Sequence, residues 1–405
     1  MRHVTMLALA GGLMLAGCHQ APKTDAQGFV IDPGFEQKLQ QQLLDAKPGD
    51  VVTIPAGKYA LTRSLSVTAS GVTIKGAGMD KTVLSFAKQN SGAEGLLVTG
   101  DDFTLQDIAL EDTKGDALKI NGTKNAVMRR VRAEWTGGPS TNNGAYGLYP
   151  VQVENVLIED SVVKGASDAG IYVGQSSNII VRNNRAEGNV AGIEIENSTG
   201  ADVYGNTTTG NTGGILVFNM PDLPVPGSKT RVYRNKIVAN NHANFGAKGS
   251  AVSSVPAGSG VVINANDDVE IFDNEIADNK TANVIISSYF STGFDTQRKR
   301  TAAYDPYPQN IYVANNRFSG GGNDPTDQFK PLMALGGGKL PDVVWDGFVD
   351  PKVADARICV QNGDARLLNV DGPHQFKGPA IVAADCAPAT RLPEIALPAE
   401  MTKAK

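Results

Sequence analysis

The chain has 405 residues, with 37 Lys plus Arg against 42 Asp plus Glu for a net charge of −5, 41% hydrophobic residues, 45 Gly and 3 Cys. That length fits one large β domain or two ordinary domains, each able to bury a core. The mild negative charge excludes broad polyanion binding, nucleic acid included, and near-average hydrophobic content with few Cys excludes disorder, collagen and a dense disulfide scaffold.

Met1 and Arg2 precede an apolar run from Val4 to Ala16, which is too short to span a bilayer. It ends in Leu15-Ala16-Gly17-Cys18, which resembles a bacterial lipoprotein signal. The resemblance implies removal of residues 1–17 and acylation of Cys18. With His19 where Asp would retain the protein at the inner membrane, it also implies an outer-membrane lipoprotein facing the periplasm or the cell surface. Residues 18–32 then form a tether, and the membrane is met only through the lipid, since no other stretch is long and apolar enough to cross it. In an oxidising compartment Cys359 and Cys386 are one candidate disulfide, with two free thiols as the alternative. His242 and His374 are the two His of the body, so a His/Cys metal cluster is not expected.

Residues 33–46 carry Phe35, Leu39 and Leu43 at four-residue spacing, which predicts an amphipathic helix ending before Lys47-Pro48-Gly49 and covering one end of the core. From roughly residue 70 to 320 a repeat appears, apolar-x-apolar-x-x-Asn-x4-Asn followed by a second apolar-x-apolar strand. Its first Asn recurs as Asn184, Asn206, Asn235, Asn274 and Asn316, and its second as Asn189, Asn211, Asn240 and Asn279. The apolar anchor of the second strand runs Leu118, Leu148, Ile171, Ile193, Ile215, Val261 and Val284, at intervals of 30, 23, 22, 22, 46 and 23. A period of 22 to 23 with short β runs between Gly and Asn turns predicts an all-β right-handed parallel β-helix of about nine or ten coils, spanning 33–339 with its cap. The Asn columns suit structural ladders, because stacked Asn bond neighbouring coils and tolerate unusual backbone angles. Residues 340–405, with many Pro and the Cys pair, are expected to form an irregular C-terminal cap.

Excess residues fall at 135–146, 218–229, 241–259 and 287–308, all flanking the anchor strand, which predicts a loop-walled groove over that strand column. Residues following the anchors point outward: Lys119, Tyr149, Tyr172, Glu194, Leu216, Val262 and Ile285, and two positions on Asn121, Val151, Gly174, Glu196, Phe218, Asn264 and Ser287. Tyr149 offers a stacking platform for a sugar, and Gln175, Glu196, Asn197 and Asn219 offer hydrogen bonds to hydroxyls. Leu216, Phe218, Val262 and Ile285 are expected to lie beneath the 218–229 loop.

Two chemistries fit such a face. Hydrolysis needs paired carboxylates, for which Asp116 and Asp168 lie two coils apart with Tyr146 between them. Lyase or epimerase chemistry, placed ahead of hydrolysis here, needs a base and a cation near a uronate, drawn from Lys119, Tyr172, Asp168 and Glu194, with Lys164 and Arg298-Lys299-Arg300 nearby in sequence. No cofactor is called for. Asp101-Asp102 and Asp267-Asp268 approach calcium turns without the spacing of a ligand set.

The run Gly49–Tyr59 resembles the opening coil of pectate-lyase-like β-helices. More specifically, Gly144–Gln152, Asp168–Ser176, Asn189–Ser198 and Asn211–Phe218 resemble a bacterial family of exported parallel β-helix repeat proteins, often lipoproteins, commonly encoded beside a second exported protein. The likeness spans roughly residues 45–345 and implies fold and location without catalytic residues. The same repeat class includes the periplasmic accessory protein of nitrous-oxide reductase maturation, so the fold alone does not name a carbohydrate enzyme. The expectation is a lipid-anchored envelope protein that recognises a polysaccharide in the groove and cleaves or epimerises it. The alternative is a non-catalytic scaffold docking a second exported protein on the Leu216, Phe218, Val262 and Ile285 patch.

Overall fold

The computed structural model describes residues 23–292, 304–384, 386 and 391–403. The signal segment, Cys18, His19 and Arg298-Lys299-Arg300 lie outside these residues.

Each central coil uses three short strands, as in Glu154–Glu159, Val162–Lys164 and Ala169–Gly174. Each strand pairs in parallel with its counterpart one coil on, at Ser177–Arg182, Arg185–Glu187 and Ala191–Glu196. Alternation along the strands sends Ile171, Val173, Val156, Ile158 and Val163 inward, where they are fully buried in one continuous core. A single coil cannot enclose these side chains, so stacking supplies both the apolar burial and the backbone hydrogen bonds.

The anchor residues stand in register along one sheet: Leu118 opposite Leu148, Ile171 opposite Ile193, Ile215 opposite Val261, and Val261 opposite Val284. Both Asn columns are buried ladders. Asn184 Nδ2 donates to Asn206 Oδ1 at 3.0 Å, and the chain of bonds continues through Asn235, Asn274 and Asn316 to Asn362. The second runs from Asn189 through Asn211 and Asn240 to Asn279. Asp101, Asp102, Asp267 and Asp268 serve similar turns, accepting from Lys124 N, Asn125 Nδ2, Gln309 N and Asn310 Nδ2.

The solenoid is longer than its Asn repeat. Among the described residues the anchor-bearing sheet has twelve strands, all parallel but the last, and it starts at Arg63–Val67 and includes Val343–Trp345 and Leu367–Asn369. The expectation of about nine or ten coils is corrected to eleven parallel rungs, because the end coils keep the inward apolar residues but lack the paired Asn. For the same reason residues 343–369, expected as irregular cap, continue the solenoid.

The helix Phe35–Asp45 closes the N-terminal end with Leu39 and Leu43 buried and the Phe35 ring stacked on Tyr59 at 3.8 Å. At the other end Cys359 and Cys386 form a disulfide with Cα atoms 5.4 Å apart. Beyond it, residues 391–403 do not wrap the end but run back along the flank. Leu392 N donates to Glu270, Ile395 N to Asp202, and Arg129 to the Met401 carbonyl, while the Met401 side chain packs with Val127, Leu157 and Ile180.

Candidate active site

The outward residues of the anchor-bearing sheet change character midway. Through the strands Leu118–Asn121, Tyr146–Val151, Ala169–Gly174 and Ala191–Glu196 they are charged or aromatic; from Gly213–Phe218 onward they are mainly apolar.

In the first half Tyr146, Tyr149 and Tyr172 form a triangle with ring centroids 4.5 to 5.0 Å apart. Glycine at position 174 makes room for it, because a Cβ there would collide with the Tyr172 ring. Tyr172 Oη thereby reaches the next coil and donates to Glu196 Oε1 at 2.7 Å, while Gln175 Nε2 donates to Tyr172 Oη at 3.3 Å. Lys119 Nζ lies 5.1 Å from the Tyr149 ring centroid and 4.0 Å from Glu94 Oε1. Asp116 Oδ1 accepts from Tyr146 N at 3.2 Å.

Four carboxyl groups act on one another here. Glu194, only 1% exposed, has its pKa raised well above the usual range, by burial first and then by the charges of Glu196 and Asp168 and a hydrogen bond with Glu196. A hydrogen bond between two carboxyl groups requires a proton between them. Glu194 Oε2 is itself buried, with no N–H or hydroxyl donor against it. Asp168 keeps part of its surface in solvent, yet burial of the carboxyl, then Glu196 and Asp116, pushes it up to about 8. Asp116, also half-buried, is raised to about 6 by burial, an effect opposed by the Tyr146 hydrogen bond and by Lys119. Burial, followed by the nearby carboxylates, lifts Tyr149 to about 12 and raises Tyr146 and Tyr172 well above the usual phenol value. Two carboxylic acids with separated proton affinities on one accessible face are the ingredients of acid–base chemistry.

The structure thus gathers Lys119, Tyr149, Asp168, Tyr172, Gln175, Glu194 and Glu196. It also adds Glu94, which the sequence reading missed. Glu94 precedes Leu96 as Asp116 precedes Leu118, and Leu96 pairs with Leu118, so extending the anchor column one coil would have found it.

Three expectations are corrected. Asn197 and Asn219 are buried and committed to the adjoining loop: Asn197 Nδ2 donates to the Met220 and Val225 carbonyls, and Asn219 Oδ1 accepts from Gly227 N. They shape a wall of the groove and have no amide turned to a ligand. Lys164 belongs to the other sheet, 4.0 Å from Glu134, and is remote from the cluster. Finally, Leu216, Phe218, Val262 and Ile285 are at most 7% exposed, so they present no docking patch. Beyond the 218–229 loop they are covered by Val252, Val255, Phe329 and Leu332. The last two come from a 3₁₀ helix, Asp327–Gly336, within an insertion between Ser319 and Val343 that has no repeat signature.

Phe218, Val262, Ile285, Val344, Phe329 and Leu332 line a cavity of about 490 Å³ on the same face. Phe218 is in register with Glu196, so this cavity begins one coil beyond the acidic cluster without including it. Among the described residues no group of three His, Cys, Asp or Glu is placed to hold a metal ion.

The model of the right-handed β-helix region matches residues 67–222 and, overlapping, 140–318. No curated protein matches the sequence. Among solved structures, the A-module of the Azotobacter vinelandii mannuronan C-5 epimerase AlgE4 is similar at a TM-score of 0.50 and 21% identity over 73% of this chain and 83% of that one. Endopolygalacturonase I from Stereum purpureum is similar at a TM-score of 0.43 and 13% identity over 69% of this chain and 94% of that one. These are likenesses of fold. With matches over more than half its length, the chain belongs to the right-handed parallel β-helix family.

Proposed function

We propose that the protein is an exported, lipid-tethered β-helix that binds an envelope polysaccharide along its outward strand column and hydrolyses a glycosidic bond there. The observation that carries this reading is the pair Asp168 and Asp116, partly accessible on one face, the first holding its proton to about 8 and the second to about 6. Asp168 gives its proton to the leaving oxygen as the glycosidic C–O bond breaks. Asp116 takes a proton from the water that forms the new C–O bond. Their coils are two strand spacings apart, roughly 9.5 Å, at the upper end of the wider, inverting arrangement that leaves room for that water. Burial, then Glu196 and Asp116, set the proton affinity of Asp168, while the tyrosine rings offer faces for sugar stacking.

This ordering reverses the preference for elimination or epimerisation. Those reactions need a cation opposite a uronate carboxylate, and the described cation at the cluster, Lys119, is already shared between Glu94 and Tyr149. Burial of the apolar patch also weighs against the scaffold reading. The compact Leu15-Ala16-Gly17-Cys18 run supports lipid attachment, and His19 supports the outer membrane.

The test is a panel of polysaccharides offered to the full chain, scored for binding, for new reducing ends and for unsaturated products absorbing in the ultraviolet. New reducing ends without ultraviolet absorbance are expected. Unsaturated ends would replace hydrolysis with elimination, binding alone would leave a recognition protein, and silence across the panel would sink the glycan reading.

A further inference from the structure

The cavity of about 490 Å³ lies between the outward strand column and the insertion that roofs it. Protein interiors are close-packed, and a void of this size forfeits contacts that larger side chains on the repeat could recover. Resting on the reading of this face as a glycan site, we propose that the cavity binds a fatty-acyl chain joined by an ester or amide to a neutral sugar, so that the ligand is an acylated glycan.

Three observations select that ligand. The first is the shape and charge of the lining. Val262, Ile285 and Val344 stand in register on successive coils, forming an apolar track along the solenoid axis, and Phe329 and Leu332 pack over it. A track of this kind takes a linear hydrocarbon, and an apolar cavity stays dry until an apolar ligand enters. Among the described residues that line it none is Lys, Arg or His. Its one acid, Asp346, already accepts from Ser288 N, Ser288 Oγ and Ser291 Oγ at 2.6 to 2.7 Å. A free fatty acid would bury its carboxylate here with no counter-charge, whereas an ester or amide brings no charge to bury.

The second is a polar group at the end nearer the acidic cluster. Asn264 lines the cavity, is 1% exposed, and its Nδ2 reaches the Met220 sulfur at 3.7 Å. An amide nitrogen has two N–H groups and a thioether is a weak acceptor, so a buried donor is left for an acyl carbonyl oxygen. Glu196 stands opposite Phe218, and Phe218 opposite Asn264, which sets the amide two strand spacings, roughly 9.5 Å, from the cluster. The carbonyl thus faces the sugar, and the chain runs on along the apolar track. The third is at the opening, where the Phe376 ring lines the cavity while the residue is 59% exposed. Gln375 and Phe376 have φ of 60° and 61°, a left-handed conformation that strains a bulky residue. The turn is fixed by Asp371, whose carbonyl accepts from Phe376 N and whose carboxylate accepts from Gly378 N. An apolar ring held in water against its backbone preference is the contact that an entering acyl chain covers.

The experiment is calorimetry on the full chain carrying Cys18→Ser, so that neither a lipid anchor nor detergent competes for the cavity. The probes are dodecanoyl maltose, dodecyl maltoside with the same chain and sugar but no carbonyl, methyl dodecanoate and dodecanoate, each below its micelle-forming concentration. Dodecanoyl maltose is expected to bind about threefold or more tighter than dodecyl maltoside, and at least about tenfold tighter than methyl dodecanoate or dodecanoate. From hexanoyl to dodecanoyl maltose the affinity should rise about threefold to fourfold per methylene. Val262→Phe fills the track and should lower the affinity for dodecanoyl maltose about tenfold, with binding of unacylated polysaccharides unchanged. Asn264→Ala should remove the preference over dodecyl maltoside. Should either variant misfold, the chain-length series remains a separate readout. Affinity independent of chain length, or dodecanoate binding as tightly as dodecanoyl maltose, overturns the acyl assignment. Methyl dodecanoate binding as tightly as dodecanoyl maltose overturns the link to a sugar, and with it the acylated glycan. Silence of every probe also overturns the proposal, whereas the glycan reading falls only with the wider polysaccharide panel.

Discussion

Tyr172 and Glu196 lie on adjacent coils, and the tyrosine side chain crosses diagonally to place its hydroxyl 2.7 Å from the carboxylate. The strand register sets Glu196 opposite Gly174 and Tyr172 opposite Glu194, so one aromatic side chain touches both outward columns of the site. Tyr172→Phe removes this hydrogen bond while keeping the ring packing. It should cost about 1.5–3 kcal/mol, the range for a hydrogen bond to a charged group, in denaturant unfolding; an unchanged midpoint would mean that the bond adds nothing.

Activity on a cleaved polysaccharide should depend on pH as a bell. Its acidic limb follows Asp116 near 6 and its alkaline limb follows Asp168 near 8 in a plot of kcat/KM. Asp168→Asn should lower the rate by about 10²-fold or more and abolish the alkaline limb. A limb that survives this substitution belongs to another group.

Stability should respond to the same carboxyl. The folded-state pKa of Asp168 is raised to about 8, so its contribution is fully present below the unfolded value near ~3.9 and is lost as pH climbs toward 8. The melting temperature should therefore fall between about pH 5 and pH 8, and Asp168→Asn should flatten that decline. An equally steep decline in the variant would assign the effect to other groups.

The Asn ladder is expected to be a major structural element. Asn235 donates to the Val203 carbonyl and to Asn274, and its oxygen accepts from both the main chain and the side chain of Asn206. Asn235→Ala strands these buried partners and should cost about 3 kcal/mol or more. A thermal unfolding shift smaller than a degree would contradict the ladder's role.

Reducing the Cys359–Cys386 bond opens a closure of 27 residues, which the chain-entropy account values at about 3.5 kcal/mol. The flank segment 391–403 should then become a faster target for trypsin at Arg391. Identical digestion rates with and without reductant would show that contacts to Glu270, Asp202 and Arg129 hold the segment unaided.

Cys18→Ser should release the mature protein from the membrane fraction, measured by fractionation and by mass analysis of the N-terminus. Retention at the membrane would remove the lipid anchor from the proposal.

The sequence by itself determined the coil period, the anchor column from Leu118 to Val284 and both Asn ladders. These repeat on every rung, and alternation along a strand leaves no choice about which residues point inward. The end coils escaped because they keep the apolar pattern without the Asn pair at its five-residue spacing. Tertiary structure decided what the outward residues do. Tyr172 meets Glu196 only because residue 174 has no Cβ, and Asn197 and Asn219 are claimed by loop carbonyls that no repeat describes. Glu94 joins the cluster through a coil whose register the Asn pattern does not mark. The physical reason is that inward positions are fixed by local periodicity and the need to bury apolar area. The partners and proton affinities of outward groups depend instead on neighbouring coils and on the loops that cross above them.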